Sequence, residues 1–282
     1  KAPPGPTILV GTDFSRSADH AIARAILIAT TRRATVHLLH ATPRLPRLLV
    51  KALGGAADER AERAALQGAA ARVRDAGVTA HAHHVEGAPA EALRAKARDL
   101  AASAILVGAR GRVVPDTFVG STAERIAALV RLPVLLVRRP PRRPYRHVLV
   151  ATEADADLRG ALAAADVVAE GAGRSVLHAW SGPFEATLRL RGVNPASIQS
   201  YLRGARREAR VALLRRLEEA GLEPSALVLR HGHPRRVLEH EERRHRDTLL
   251  VMRRGRSAVA HLLLGSVTRS IIAHGMSDVL IV

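Results

Sequence analysis

The sequence predicts an α/β protein made of two doubly wound domains, each a five-stranded parallel sheet, packed as a pseudo-twofold pair. Three observations predict it. Strand-like and helix-like patterns alternate along the chain, the whole alternation runs twice in the same order, and each run closes on a continuous apolar strand. Short unbroken apolar runs joined by helices mean a parallel sheet covered on both faces. Two apolar final strands would be exposed sheet edges, which proteins avoid, so the segments 134–137 and 279–282 are expected to lie together.

Each element follows from its residues. Ile8-Leu9-Val10-Gly11-Thr12-Asp13 is a strand and its exit. Residues 18–31 carry alanine and isoleucine at helical spacing, with Ser15 or Ser17 placed to cap the first turn. Val36-His37-Leu38-Leu39-His40-Ala41 is the second strand, and residues 58–76 form a charged amphipathic helix stopped by Gly77. His81 and His83 alternate on a third strand and face one side of it. Residues 90–100 and 121–132 supply two more helices around the strand Ala104-Ile105-Leu106-Val107-Gly108, and Pro133-Val134-Leu135-Leu136-Val137 closes the half.

The second half repeats this order. Val148-Leu149-Val150-Ala151-Thr152-Glu153 opens it, and Ser175-Val176-Leu177-His178-Ala179-Trp180 is its second strand. A longer helix over 194–220 is stopped by Gly221, and His231-Gly232-His233-Pro234 matches Glu86-Gly87-Ala88-Pro89. Thr248-Leu249-Leu250-Val251-Met252 is set against 104–108, which places Met252 at the position of Gly108. Leu264-Gly265-Ser266-Val267 repeats Val119-Gly120-Ser121-Thr122, and Asp278-Val279-Leu280-Ile281-Val282 ends the chain. Repetition at this scale organises everything else. The domains are expected over 1–139 and 145–282, separated by the extended, charged linker Arg138-Arg139-Pro140-Pro141-Arg142-Arg143-Pro144.

Composition narrows the function classes. The chain has 282 residues, 47% of them hydrophobic, enough for two domains that each bury a core. No apolar run reaches the ~18 residues a membrane span needs, and the first residues show no signal-peptide layout, so a cytoplasmic location without a membrane partner is expected. There is no cysteine, hence no disulfide and no thiolate metal site. The formal charge of +18 is compatible with a polyanion partner. It comes almost entirely from arginines scattered through an alanine-rich chain, and the six Phe, Trp and Tyr residues offer few stacking platforms. A nucleic-acid partner is disfavoured on that ground.

In a doubly wound sheet, ligands sit outside the carboxyl ends of the strands where the strand order reverses. With the first and fourth strands flanking that point, Asp13 and Gly108 meet at its mouth. Gly108, two residues, Gly111, eight residues, then Gly120-Ser121-Thr122 continue from there. Glycines let a backbone approach phosphate closely. The helix that opens at Gly120-Ser121-Thr122 offers free N–H groups and a favourable dipole to an anion. Ser121 and Thr122 either contact phosphate or cap that helix.

The segments Ile8-Leu9-Val10-Gly11-Thr12-Asp13-Phe14-Ser15, Leu38-Leu39-His40 and Gly-x-x-Gly…Gly-Ser resemble the pattern of the universal stress protein family, over essentially the whole chain and twice. The resemblance implies an adenine nucleotide alpha hydrolase-like fold, with the last strands paired antiparallel across a dimer, a pairing that a tandem chain makes internally. It implies ATP as the ligand of many members, and a role in stress survival rather than in a metabolic reaction. Carried over by position, Thr12 and Asp13 face the adenosine end, with Asp13 accepting from ribose, and Ala41 offers backbone to adenine. Val107 and Gly108 line the ribose side, while Gly111, Gly120, Ser121 and Thr122 hold phosphates. The first half departs from the family motif in its eight-residue spacer, which contains Pro115-Asp116. The second half keeps nine residues between Gly255 and Gly265 but has Glu153 for the aspartate and, on the alignment above, Met252 for the first glycine.

Other chemistry finds little support. The sequence has no Gly-Lys pair of a phosphate loop, no G-x-G-x-x-G after either first strand and no G-x-S-x-G elbow. His240-Glu241 followed by His245 puts the two imidazoles about 140° apart on a helix, too far round to share a metal. His81 and His83 form a candidate metal pair, with His84 or His233 as helpers, but lack a clear third ligand. His40 and His178 recur inside the second strands and are expected to satisfy neighbouring backbone groups. The expectation is a cytoplasmic protein that binds ATP or a related adenine nucleotide as a regulatory ligand, mainly through the first domain. Any hydrolysis should be slow for want of a base or an arginine finger. The alternative is a nucleotide-free interaction module acting through protein partners, and either reading leaves a homodimer open.

Overall fold

A computed structural model describes residues 5–42, 55–110, 121–153, 157–182, 184–244, 248–254 and 264–282. In the first half the strands are β1 (Thr7–Gly11), β2 (Thr35–Thr42), β3 (Ala80–Glu86), β4 (Ala104–Gly108) and β5 (Val134–Val137). The helices are α1 (Arg16–Arg32), α2 (Gly55–Asp75), α3 (Pro89–Asp99) and α4 (Ser121–Leu129). In the second half β6 (His147–Ala151), β7 (Gly173–Trp180), β8 (Leu227–His231), β9 (Thr248–Met252) and β10 (Val279–Ile281) alternate with α5 (Leu158–Ala169), α6 (Glu185–Leu190), α7 (Pro195–Glu219), α8 (Pro234–Arg244) and α9 (Ser266–His274).

All ten strands join one sheet in the order β3-β2-β1-β4-β5-β10-β9-β6-β7-β8. Pairing is parallel within each half and antiparallel at the single seam, where Val279, Leu280 and Ile281 lie opposite Leu136, Leu135 and Val134. The final strands therefore cover each other, as their apolar sequences require. Helices pack on both faces. One buried cluster joins residues of α1, α2 and α5 to Ile8, Val10, Val148 and Val150, and the other joins residues of α3, α4, α8 and α9 to Leu9, Ile105, Leu149 and Leu250. Each cluster runs across the seam, so the cores of the two halves are continuous.

Local chemistry sets the helix limits. Ser15 caps α1 by accepting from Ala18 N at 3.1 Å, Asp157 caps α5 through Gly160 N, and Asn194 caps α7 through Ser197 N. The short helix α6 is an addition with no counterpart in the sequence reading.

Seam contacts tie the halves together. Asp278, buried just before β10, accepts from Arg24 Nη2 at 3.4 Å, from the Tyr145 hydroxyl at 2.6 Å and from Arg138 N at 2.8 Å. The Arg24 guanidinium also lies 3.8 Å from the centre of the Tyr145 ring. Arg254 reaches across to the carbonyls of Ala127 and Leu132 near the end of α4, while Arg138 donates to Ile271 O and Ile272 O near the end of α9. Each half thus supplies a cation to the negative end of a helix in the other. Burial is deep enough to lower the Arg254 pKa to about 10.

Pairing also corrects the alignment of the fourth strands. Ile8 lies opposite Ala104 in the first half, and its counterpart Val148 lies opposite Leu249 in the second. Met252 therefore corresponds to Val107, and the position of Gly108 belongs to Arg253. A slip of one residue moves a side chain to the other face of the sheet. Met252 is a buried member of the core cluster and does not stand at the position of the glycine. With the corrected register, the same number of residues separates Val107 from Gly120 and Met252 from Gly265.

Candidate functional site

The strand order reverses between β1 and β4, which are neighbours with Gly11 opposite Val107. Thr12 and Asp13 leave β1 at the carboxyl edge of the sheet, and Gly108 ends β4 beside them. Ala41 lies one residue before the end of β2, on the far side of β1, and Val107 is buried next to Gly108. Ser121 and Thr122 are the first two residues of α4. Gly111 and Gly120 lie outside the described residues.

The turn after β1 is fixed by short-range hydrogen bonds. Thr12 N donates to Leu39 O at 2.9 Å, Phe14 N to Thr12 Oγ1 at 3.1 Å and Ser15 N to Asp13 Oδ1 at 3.0 Å. Phe14 adopts φ 59°, a left-handed conformation uncommon for a bulky residue. Its ring packs 4.4 Å from that of His40. His40 Nδ1 in turn meets Thr12 O at 2.8 Å, and because a carbonyl only accepts, that nitrogen carries the proton. His178 makes the same bond to Thr152 O at 2.9 Å. The two recurring histidines have the backbone-satisfying role their position suggested.

Gly108 is a glycine for a steric reason within the chain. A Cβ there would stand 2.6 Å from the backbone carbon and hydroxyl oxygen of Ser17, below any tolerable contact. The absent side chain lets the start of α1 close onto the end of β4, where Ser17 Oγ accepts from Arg110 N at 3.2 Å.

At the equivalent place in the second half is a cavity of about 510 Å³. Thr152 and Glu153 after β6, His178 and Ala179 of β7, Met252 and Arg253 around the end of β9, and Gly265 and Ser266 at the start of α9 line it. Its size is within the usual range for small-molecule sites. Gly265 is the N-cap of α9 and provides no side-chain hydrogen bond, so among the described residues the first-turn N–H groups have no side-chain cap. With Arg253 and Arg269 also on the lining, this end of the cavity suits an anion.

Two histidine clusters lie on opposite faces of β2 and β3. His81 and His83 do face one side, where His37 joins them: its Nδ1 lies 2.9 Å from His83 Nε2, and its ring stacks on His81 at 4.8 Å. His84 does not assist that pair. It points through the opposite face, where His40 and Glu62 of α2 meet it. Sequence reasoning missed Glu62, which is one acid among many on a charged helix, and only the packing of α2 on β2 and β3 singles it out.

Comparisons with known proteins agree with this architecture. The sequence pattern of the Universal stress protein family matches residues 6–138 and again 144–282. A universal stress protein from Pseudomonas aeruginosa UCBPP-PA14 superposes over 99% of this chain and 93% of its own, with a TM-score of 0.68 at 18% identity. One from Archaeoglobus fulgidus superposes over 98% and 97%, again at 0.68 and 18%. A universal stress protein solved in complex with cAMP covers 48% of this chain and 98% of its own, at 27% identity and a TM-score of 0.38. No curated protein matches the chain. Among the described residues no helix is long and apolar enough to cross a membrane.

Proposed function

Because the chain belongs to the universal stress protein family, we propose that it binds ATP or a related adenine nucleotide as a regulatory ligand in the crevice between β1 and β4. The observation that carries this reading is the adjacency of those two strands, which brings Thr12, Asp13 and Gly108 to one mouth at the point where strand order reverses. In this reading Asp13 accepts from the ribose, Ala41 presents backbone to the adenine, and Val107 and Gly108 border the sugar. Gly111, Gly120, Ser121 and Thr122 receive the phosphates. In this reading the first half is the principal site because it has Asp13 at the ribose position, where the second half has the longer Glu153.

A second reading has its own observation. The cavity of the second half, with its uncapped helix start and its arginines, offers nucleotide a place independent of the first. Calorimetric titration with ATP separates the two. The first reading expects one ATP per chain and at least a tenfold loss of affinity in Asp13→Ala. Saturation at two per chain would put ligand in both halves, and undiminished binding in Asp13→Ala that is lost in Ser266→Asp would put it in the second half alone. A chain that neither copurifies with nucleotide nor binds added ATP would instead be an interaction module working through protein partners.

A further inference from the structure

We propose that the first half holds a divalent transition-metal ion of the zinc class between His40 Nε2, His84 Nε2 and the Glu62 carboxylate. The three ligand atoms already converge. Glu62 Oε2 lies 3.5 Å from His40 Nε2 and 3.3 Å from His84 Nε2. Tetrahedral coordination with bonds of about 2.0–2.1 Å separates neighbouring ligand atoms by about 3.3 Å. The carboxylate already stands at about that distance from each imidazole, and all three ligand atoms lie within 4.8 Å of one another. Two imidazoles and one carboxylate, with a water in the fourth position, are a common donor set for zinc, and imidazole donors disfavour magnesium and calcium.

The protonation pattern points the same way. The hydrogen bond from His40 Nδ1 to Thr12 O leaves the lone pair of a neutral imidazole on Nε2. That atom is buried and has no hydrogen-bond partner. It faces a carboxylate, an arrangement of acceptor against acceptor that a cation between them resolves. A backbone carbonyl holding the other ring nitrogen is also the usual support for a metal-bound histidine. Glu62 is held in place as well. The Thr42 hydroxyl donates to Glu62 Oε2 at 2.7 Å. On binding, His84 carries its proton on Nδ1 and presents Nε2 to the ion.

The repeat supplies an internal control. His178 keeps the backbone bond of His40, but its strand neighbour on β8 is Leu229, where His40 has His84. The structural duty of this histidine therefore needs no second imidazole beside it on the next strand, and coordination accounts for the one that the first half supplies.

Equilibrium dialysis of the full chain against zinc chloride, followed by metal analysis, tests the proposal. Wild type should retain one zinc per chain, and cobalt in its place should show the visible absorption of a tetrahedral site. Glu62→Gln and His84→Asn, each checked by circular dichroism for an intact fold, should lower zinc affinity at least tenfold, and a His81→Asn, His83→Asn double variant should not. Glu62 is partly exposed and Gln retains its shape, so the first variant separates coordination from folding. Retention of zinc by Glu62→Gln and His84→Asn at the wild-type level would overturn the site. So would loss confined to the His81, His83 variant, or no zinc on wild type.

Discussion

At the carboxyl end of β4 the first half has Gly108, and at the same register position the second half has Arg253. Further differences follow the same alignment. His84 is matched by Leu229, His37 by Ser175 and the seam residue Asp278 by Pro133. Counted from the helix caps, Arg24 is matched by Asp166, which pairs with Arg174 instead. What the halves share is different in kind: apolar strand residues on both faces, and the histidine bond to the turn after the first strand. The shared residues build the sheet, and several unshared ones lie at the mouths and the seam. A repeat thus separates residues that specify the fold from residues that specialise one copy of it.

The largest test of that separation lies at the seam. Asp278→Ala would leave the Arg24 guanidinium buried without its carboxylate, a loss of about 3–5 kcal/mol. Pro133→Ala, at the matching position, should stay within about 1 kcal/mol. Urea unfolding of the two variants measures the contrast, and equal losses would mean that the network around Asp278 adds nothing to the pairing of β5 with β10. Next in size is Gly108→Ala, which forces a methyl group against the Ser17 backbone and should destabilise by about 1–3 kcal/mol. Arg253→Ala, on an exposed side chain, should change stability by no more than about 0.5 kcal/mol. If both are neutral, the closure of α1 on β4 does not depend on glycine.

Ligand binding sharpens the comparison further. Gly120→Asp sets a carboxylate where phosphate is proposed and should weaken ATP binding at least tenfold, about 1.4 kcal/mol, with little change in folding. Gly265→Asp should leave affinity near wild type. The reverse pattern by calorimetry would exchange the roles of the two halves.

A further expected effect is on pH dependence. Burial, helped by the nearby His81, His83 and Lys96 charges, lowers the His37 pKa from 6.5 to about 4. Between those values the unfolded chain takes up a proton that the folded chain refuses. The contribution of His37 is therefore complete above about pH 6.5 and declines as pH falls toward 4. Ser175 has no such response. His37→Ser should lose less stability than wild type between pH 7 and pH 4.5, and equally steep losses in urea titrations would clear His37 of the effect.

Eight of the ten strands and their seam were legible because two independent signals agreed: apolar runs of strand length, and their repetition in order. The role of His40 was legible because the same residue recurs as His178 at the same place in a strand. The match of Met252 to Gly108 was misread because Ala104 to Gly108 and Thr248 to Met252 are both apolar runs, and such runs slide past each other by one residue at little cost in apparent similarity. Hydrogen-bonded register, absent from sequence, removed that freedom. Helix α6 is short enough to merge into the approach to α7. Glu62 was invisible for a different reason: its partners lie 22 residues away along the chain, on strands whose facing side depends on how α2 packs.

The single seam also has a consequence for how this protein changes over time. A homodimer with the same sheet would carry every substitution twice, once on each side of its symmetry axis. Here the partner is tethered through residues 138–144, so the halves meet at high effective concentration whatever the amount of protein. Each position is then free to mutate once. An aspartate at one end of the seam can recruit an arginine and a tyrosine that its mirror position never has to accommodate, and one mouth can be altered while the other retains its former shape.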